Sequence, residues 1–375
     1  MCALPFGVEF LEFFSDLPDT RQLGKILYPL NEMILTTLCA VICGAESYVE
    51  VEEFGNVKLP FLKNYLPFEQ GIPSHDTFGI VFSKIDSAAF NASFIEWVEA
   101  LQKTIPKLVA IDGKTIRRSR DGESKPIHVV SAWAVEQNLV LGQCKTGEKS
   151  NEITAIPELL SLLVLNGAIV SIDAMGCQKD IAKAISDKEA DYVLSVKGNQ
   201  SGIHNEIELF FQGIFSGTLP LAVQSHKIID KAHGRFETRN YLLTDNIEWL
   251  SQKEDWSGLK SIGCVHATRE VSGVATEEYR YFISSLSGDI QLFAQAVRGH
   301  WGIENSLHWV MDIVFRDDEC RIRKKHGPAN FVTIKHIAQN MMRSVKSKAS
   351  MRVKRKKAGW DDTFLEAILQ SKLSD

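Results

Sequence analysis

The sequence predicts an α/β protein with an all-α amino-terminal domain and a β-rich insertion, and three observations carry that reading. Hydrophobic periodicity is helical from Val8 to about Lys103. Two short β-branched runs, ending in Ile111-Asp112 and Ile172-Asp173, then each deliver an acid at the carboxyl end of a strand, where open α/β sheets tend to build their sites. Between about Gln200 and Ser287 the pattern becomes β-rich and irregular, and helical spacing returns at Asp289.

Taken in order, the amino-terminal helices are punctuated by LPDT, CGAES, FGNVKLP and EQGIPSHDT, with Ser74 placed to cap a helix through Phe82. A strand runs from Leu108 to Asp112. HVVSAWAVEQNLVLGQCKT reads as two strands joined through Gln137 and Asn138. A helix over about Asn151 to Leu163 leads to the strand ending at Asp173, and a further helix precedes the strand DYVLSVKGN. The late segment Asp289 to Phe315 carries a core stripe of Phe293, Val297, Ile303, Leu307, Val310 and Val314, with Glu304 at its border. Gly299 and Gly302 each cost about 1 kcal/mol inside a helix. Either the helix breaks there or another element approaches its backbone.

A chain of 375 residues, 45% hydrophobic and 24% charged, has room for two domains or one large domain with an insertion. Its apolar runs from Met33 and Leu159 fall short of the roughly 20 residues a membrane span needs. No basic-then-apolar leader opens it at Met1, and its seven scattered cysteines read as reduced thiols, so a cytoplasmic protein is expected. Residues 1–100 hold 14 acids against 5 Lys and Arg, whereas Arg343 to Gly359 holds eight cations and no acid. Such a basic block is either a solvated tail or the footprint of a phosphate backbone.

Asp112 is followed by Lys114, Arg117, Arg118 and Arg120. Alone, that stretch could be an Asp-Gly turn in a charged loop. The second copy at Asp173, together with Glu304, suggests a shared site. Three carboxylates held close raise one another's pKa unless a cation neutralises them. Hard oxygen donors favour Mg²⁺ or Mn²⁺, which can activate a nucleophile and stabilise the leaving oxygen of a phosphodiester. The cations would then hold DNA. His300, Glu304 and His308, spaced by four, offer a rival zinc-hydrolase reading, without the His-Glu-x-x-His order.

The blocks AIDGKTIRRS, SIDAMGCQ, DYVLSVKGNQ, HGRFETR and RGHWGIENSLHWVMDIVFRDDECRIR, with the amino-terminal GIPSHDTFGIVFSKID, closely resemble the H-repeat-associated transposases of bacterial insertion sequences. That resemblance implies a DDE-type enzyme with an RNase H-like catalytic core over 104–345, interrupted by a β-rich insertion at about 200–287. A helical domain over 1–103 would precede it, and a basic tail with a short helix over 346–375 would follow. The catalytic and metal-binding triad falls on Asp112, Asp173 and Glu304, at intervals of 61 and 131 residues. Related enzymes carry a Tyr, Arg, Glu, Lys pattern on the last helix; Val297, His300 and Met311 stand here where Tyr, Arg and Lys would, while Arg298, Trp301 and Glu304 keep its character. The implied DNA contacts are Lys114, Arg117, Arg118, Lys197, Arg235, Arg239, Arg298 and Arg323. The implied partners are double-stranded DNA, as terminal inverted repeats and target, and a second copy of the chain in a synaptic complex. The alternative is a catalytically decayed relic that still binds DNA.

Overall fold

The computed structural model describes residues 7–102, 104–120, 122, 125–147, 152–220, 223–232, 235–271 and 274–371. Four helices come first: α1 (Leu30–Cys43), α2 (Tyr48–Leu62), α3 (His75–Lys84) and α4 (Ser87–Leu101). The caps are those the sequence advertises, since Ser47 and Ser74 accept from Glu50 and Thr77 N–H, and Asp86 accepts from Ala88 and Ala89. The strands and helices of the following α/β part are β1 (Leu108–Thr115), β2 (His128–Ala134), β3 (Leu139–Lys145), α5 (Glu152–Leu162), β4 (Ile169–Ile172), α6 (Lys179–Ser186), β5 (Asp191–Val196) and α7 (Ser201–Phe215). Asn151, the expected start of α5, lies outside the described residues.

Four long strands follow: β6 (Gln224–Ala232), β7 (Arg235–Thr244), β8 (Ser261–Val271) and β9 (Val274–Ser284). They join the first five in one sheet of order β3-β2-β1-β4-β5-β9-β8-β7-β6. Strands β1, β4 and β5 are parallel and the others antiparallel to their neighbours. The buried runs of β1 and β4 are apolar without alternation, as parallel strands covered on both faces require. The insertion therefore widens the sheet, through β5–β9 pairing, instead of forming a separate layer.

The chain ends in helices α8 (Ile290–Gly302), α9 (Trp309–Ile313), α10 (Gly327–Ser344), α11 (Met351–Trp360) and α12 (Asp362–Leu369), with a π-helical turn at Ile303–His308 between α8 and α9. Helix α10 is buried almost throughout and packs on α1, α3, α4 and β3. Its Asn340 pairs with both backbone groups of Val140, and Asn91 of α4 accepts from Gln143 N–H. Together they cover the β3 edge that an open sheet would leave unpaired. One hydrophobic core runs through the amino-terminal helices, the sheet and α10–α12.

The basic block is not a tail. Arg355 donates to Val41 O and Val314 O, and Lys354 donates to Met342 O and Val345 O. These are carbonyls at or just beyond the ends of α1, α9 and α10, where helices leave acceptors unmatched. Both cations are buried, while Lys346, Lys348, Arg352, Lys356 and Lys357 stay exposed. Among the described residues, no single helix is long and apolar enough to cross a membrane.

Candidate active site

The register decides the site. Ile111 pairs with Ile172 across the parallel β1–β4 ladder, so the next residues, Asp112 and Asp173, leave adjacent strands at the same level. Asp112 accepts from its neighbour Gly113 N–H at 2.9 Å and lies 3.3 Å from His308 Nδ1. Burial alone would push its carboxyl up, but His308, His300 and the Gly113 N–H outweigh burial and hold it below the ordinary range. Asp173 folds back on its own turn, accepting from Met175 and Gly176 N–H at 3.0 and 3.3 Å. Its carboxyl is pushed up, first by burial and then by the negative charges of Asp112 and Glu152, against the Gly176 N–H and His300.

The helix facing this end supplies His300 and His308. His300 Nδ1 lies 3.3 Å from Ser171 Oγ on β4. Between the histidines, the π turn places one extra residue in the helical repeat, an irregularity often found at functional positions. Ser306 O, which the wider turn exposes, accepts from Gln339 at 3.1 Å and Arg343 at 2.6 Å, both on α10; Trp301 O accepts from Asn305 at 3.0 Å. Gly299 does not break α8 but lets it approach a neighbour: a Cβ there would meet Val135 at 3.2 Å, so the helix needs glycine to lie close to the end of β2.

Glu304 sits on the π turn and is exposed. Among the described residues, no group of three His, Cys, Asp or Glu side chains is gathered closely enough to hold a metal by itself, which removes the His300–Glu304–His308 zinc set. A hard divalent cation asks for less: Mg²⁺ uses one or two carboxylates and keeps waters and substrate phosphates as its other ligands. Paired aspartate oxygens, one with its ionised form disfavoured by neighbouring negative charge, fit such an ion.

The residues expected to hold DNA divide into two kinds. Lys114 is only 12% exposed and is committed to Asp312 and, at 3.5 Å, Asp318. Arg239 is buried between Asp230 at 2.6 Å and Glu237 at 2.5 Å. Neither side chain is presented to solvent as a free cation. Arg117, Arg118, Lys197, Arg298 and Arg323 are exposed, although Arg117 leans on Asp318 at 3.2 Å and Arg323 donates to Arg118 O at 3.3 Å. The side chain of Arg235 lies outside the described residues. Arg298 opens onto a cavity of about 200 Å³ between α8 and β7–β9, shared with Arg239, Arg269, Arg280 and Trp301.

The sequence reading missed Glu152 and His128. Glu152 opens α5 and accepts from His128 Nε2 at 2.7 Å, directly over Gly113. Only the closeness of β2 to β1 makes them neighbours of Asp112, and neither spacing nor composition signals that.

Comparison with known proteins places this geometry in a class. Residues 103–341 match the family described as "Transposase DDE domain", and residues 11–98 match "DDE_Tnp_1-associated". The chain thus belongs to the DDE-domain transposases. "Putative transposase YncI" of Escherichia coli O157:H7 is 44% identical over 96% of this chain and 94% of its own length, and "H repeat-associated putative transposase YhhI" of Escherichia coli strain K12 is 41% identical over 96% and 97%. Within the class, the chain is one of the H-repeat-associated transposases. A piggyBac transposase synaptic complex with hairpin DNA aligns at a TM-score of 0.42 and 11% identity, over 98% of this chain and 82% of that one, too slight a likeness to define the fold.

Proposed function

We propose that this protein cuts and joins DNA at the ends of an insertion sequence, with a divalent cation, Mg²⁺ or Mn²⁺, held by Asp112 and Asp173 and completed by Glu304. One observation carries the reading: two aspartates leave adjacent parallel strands in register, one favoured as carboxylate by His308 and the other burdened by its neighbours' negative charge. Such a pair is built to be neutralised. The cation supplies Lewis-acid activation of the attacking oxygen and stabilisation of the leaving one. The chain's own part is to hold the scissile strand. Arg298 and Arg117 stand exposed as phosphate contacts, and the α10 donors fix the π turn that carries Glu304.

The order β3-β2-β1-β4-β5, with a leading antiparallel meander and parallel β1, β4 and β5, supports an RNase H-like core within 104–345. Its β-rich insertion spans about 200–287. Residues 1–103 form the helical partner domain and 346–375 a helical closing segment. The DNA substrate is double-stranded, with terminal repeats and a target, processed by at least two copies because two ends must be handled together.

The test is nicking of a plasmid carrying the element's ends by purified chain with Mg²⁺. Wild type should nick, and Asp112→Asn and Glu304→Gln should lose at least about a hundredfold in rate while retaining DNA binding. Wild-type rates in either variant would refute that residue's assignment. A wild type that binds the ends but never nicks would identify a decayed relic.

A further inference from the structure

Glu152 is tied into the site on three sides. Thr115 and His128 face each other across the β1–β2 ladder, with Thr115 Oγ1 2.8 Å from His128 Nδ1. His128 Nε2 lies 2.7 Å from Glu152 Oε1. A carboxylate only accepts, so Nε2 carries the proton and donates, leaving Nδ1 to accept from the threonine hydroxyl. This fixes a neutral imidazole in one tautomer and aims one carboxylate oxygen. The pair is drawn down onto β1: a Cβ on Gly113 would lie 2.3 Å from Glu152 Oε1 and 2.4 Å from His128 Nε2. Gly113, the residue after Asp112, leaves the room these side chains occupy.

Glu152 is 18% exposed, at the first turn of α5, where the helix N-terminus favours a negative charge. Its charge is felt at Asp173 alongside that of Asp112. Burying an acid beside two others is unfavourable unless the assembly is completed by a cation. A packing role would be served equally well by an amide, which also accepts from His128.

We propose that Glu152, held by the Thr115–His128 pair, is a positioning residue of the cation site, contributing a third negative charge beside Asp112 and Asp173 and acting through the water shell of the ion they hold. The inference rests on the reading of Asp112 and Asp173 as the cation-binding pair. Mg²⁺ and Mn²⁺ commonly retain waters, and an acid at this distance accepts hydrogen bonds from them without coordinating. The histidine then sets where that acid points, as outer partners of metal sites do.

The experiment is titration of the full-length, DNA-free chain with Mn²⁺ by calorimetry, beside thermal unfolding of the same samples. Glu152→Gln keeps the acceptor for His128 and removes only the charge; Mn²⁺ affinity should fall roughly 10- to 100-fold with the metal-free melting temperature maintained or raised. Glu152→Asp keeps the charge and should bind within a few-fold of wild type. Asp112→Asn should abolish binding. If Asp112→Asn abolishes binding and Glu152→Gln does not weaken it, the inference is wrong and the aspartate pair stands. If Glu152→Asp binds as poorly as Glu152→Gln, shape and not charge was lost, which also overturns it. If all three bind Mn²⁺ like wild type, the aspartate reading falls as well.

Discussion

At the scale of single residues, His336 shows how burial beside the site is tolerated. It sits on α10, 3% exposed, and burial, with His308 and Lys335 nearby, pushes its imidazole down to about 3. The unfolded chain would protonate it near the ordinary histidine value, so between about 6.5 and 3 the unfolded state holds one more proton. Stability from this group is present above that window and lost as pH falls through it. His336→Gln should reduce the slope of stability against pH by up to about one proton over this window, read from urea unfolding at several pH values. An unchanged slope would mean His336 does not remain neutral. Among the site residues, the two aspartates were legible because each ended an apolar run, and Glu304 because a helical stripe pointed to it. Glu152 and His128 were not, since their nearness to Asp112 is made by β1–β2 pairing and the seat over Gly113. Lys114 and Arg239 looked like free cations because the acids that occupy them, Asp312 and Asp230, lie on other elements or on a neighbouring strand.

At the scale of elements, the glycines of α8 separate two causes that sequence could not. Gly299 is needed for close approach, with Val135 at 3.2 and 3.3 Å from a virtual Cβ, whereas a Cβ at Gly302 would meet Trp133 at an ordinary 3.7 Å. Gly302→Ala should therefore stabilise the protein by about 0.5–1 kcal/mol through helix propensity, and Gly299→Ala should give less than that or lose stability. Equal gains in denaturant unfolding would show that β2 does not press on α8. The π turn was invisible in the sequence, because its maintenance depends on Gln339 and Arg343 reaching Ser306 O from a helix more than thirty residues away. The closing helices escape a sequence reading for a related reason. Eight cations in a row of polar residues read as solvated, yet Arg355 commits its guanidinium to two buried carbonyls and stacks 4.5 Å from the Phe315 ring. Arg355→Ala should cost about 2–5 kcal/mol, since it strips several charge-assisted bonds and leaves the acceptors dry. A change within 0.5 kcal/mol, the range of ordinary surface substitutions, would contradict that role.

At the scale of the whole molecule, the α/β class and the order of helical, mixed and β-rich stretches followed from periodicity. The nine-strand continuity and the shared core of amino- and carboxyl-terminal helices did not, because they depend on pairing between β5 and β9 and on packing of α1 against α10. That shared core also changes how DNA binding must be tested. Deleting the chain after Arg343 would remove Phe364, Leu365 and Ile368 from the core along with the cations. Replacing the five exposed cations, Lys346, Lys348, Arg352, Lys356 and Lys357, by Gln leaves the fold intact. The log–log salt dependence of non-specific DNA binding should then flatten by about 0.9 for each phosphate that is no longer neutralised, and an unchanged slope would assign these cations to solvent alone.

If a hard cation at Asp112 and Asp173 drives the cutting, it must touch the scissile phosphate, and sulfur substitution tests that directly. Element-end DNA would carry a single phosphorothioate at the scissile position, as each separate diastereomer, and single-turnover cleavage would be compared in Mg²⁺ and Mn²⁺. Sulfur is a poor ligand for Mg²⁺ and a better one for the softer Mn²⁺. Cleavage of one diastereomer should fall steeply in Mg²⁺ and recover in Mn²⁺, with the all-oxygen DNA cut in both. Equal cleavage of both diastereomers and the oxygen substrate in Mg²⁺ would contradict direct contact between the cation and the scissile phosphate.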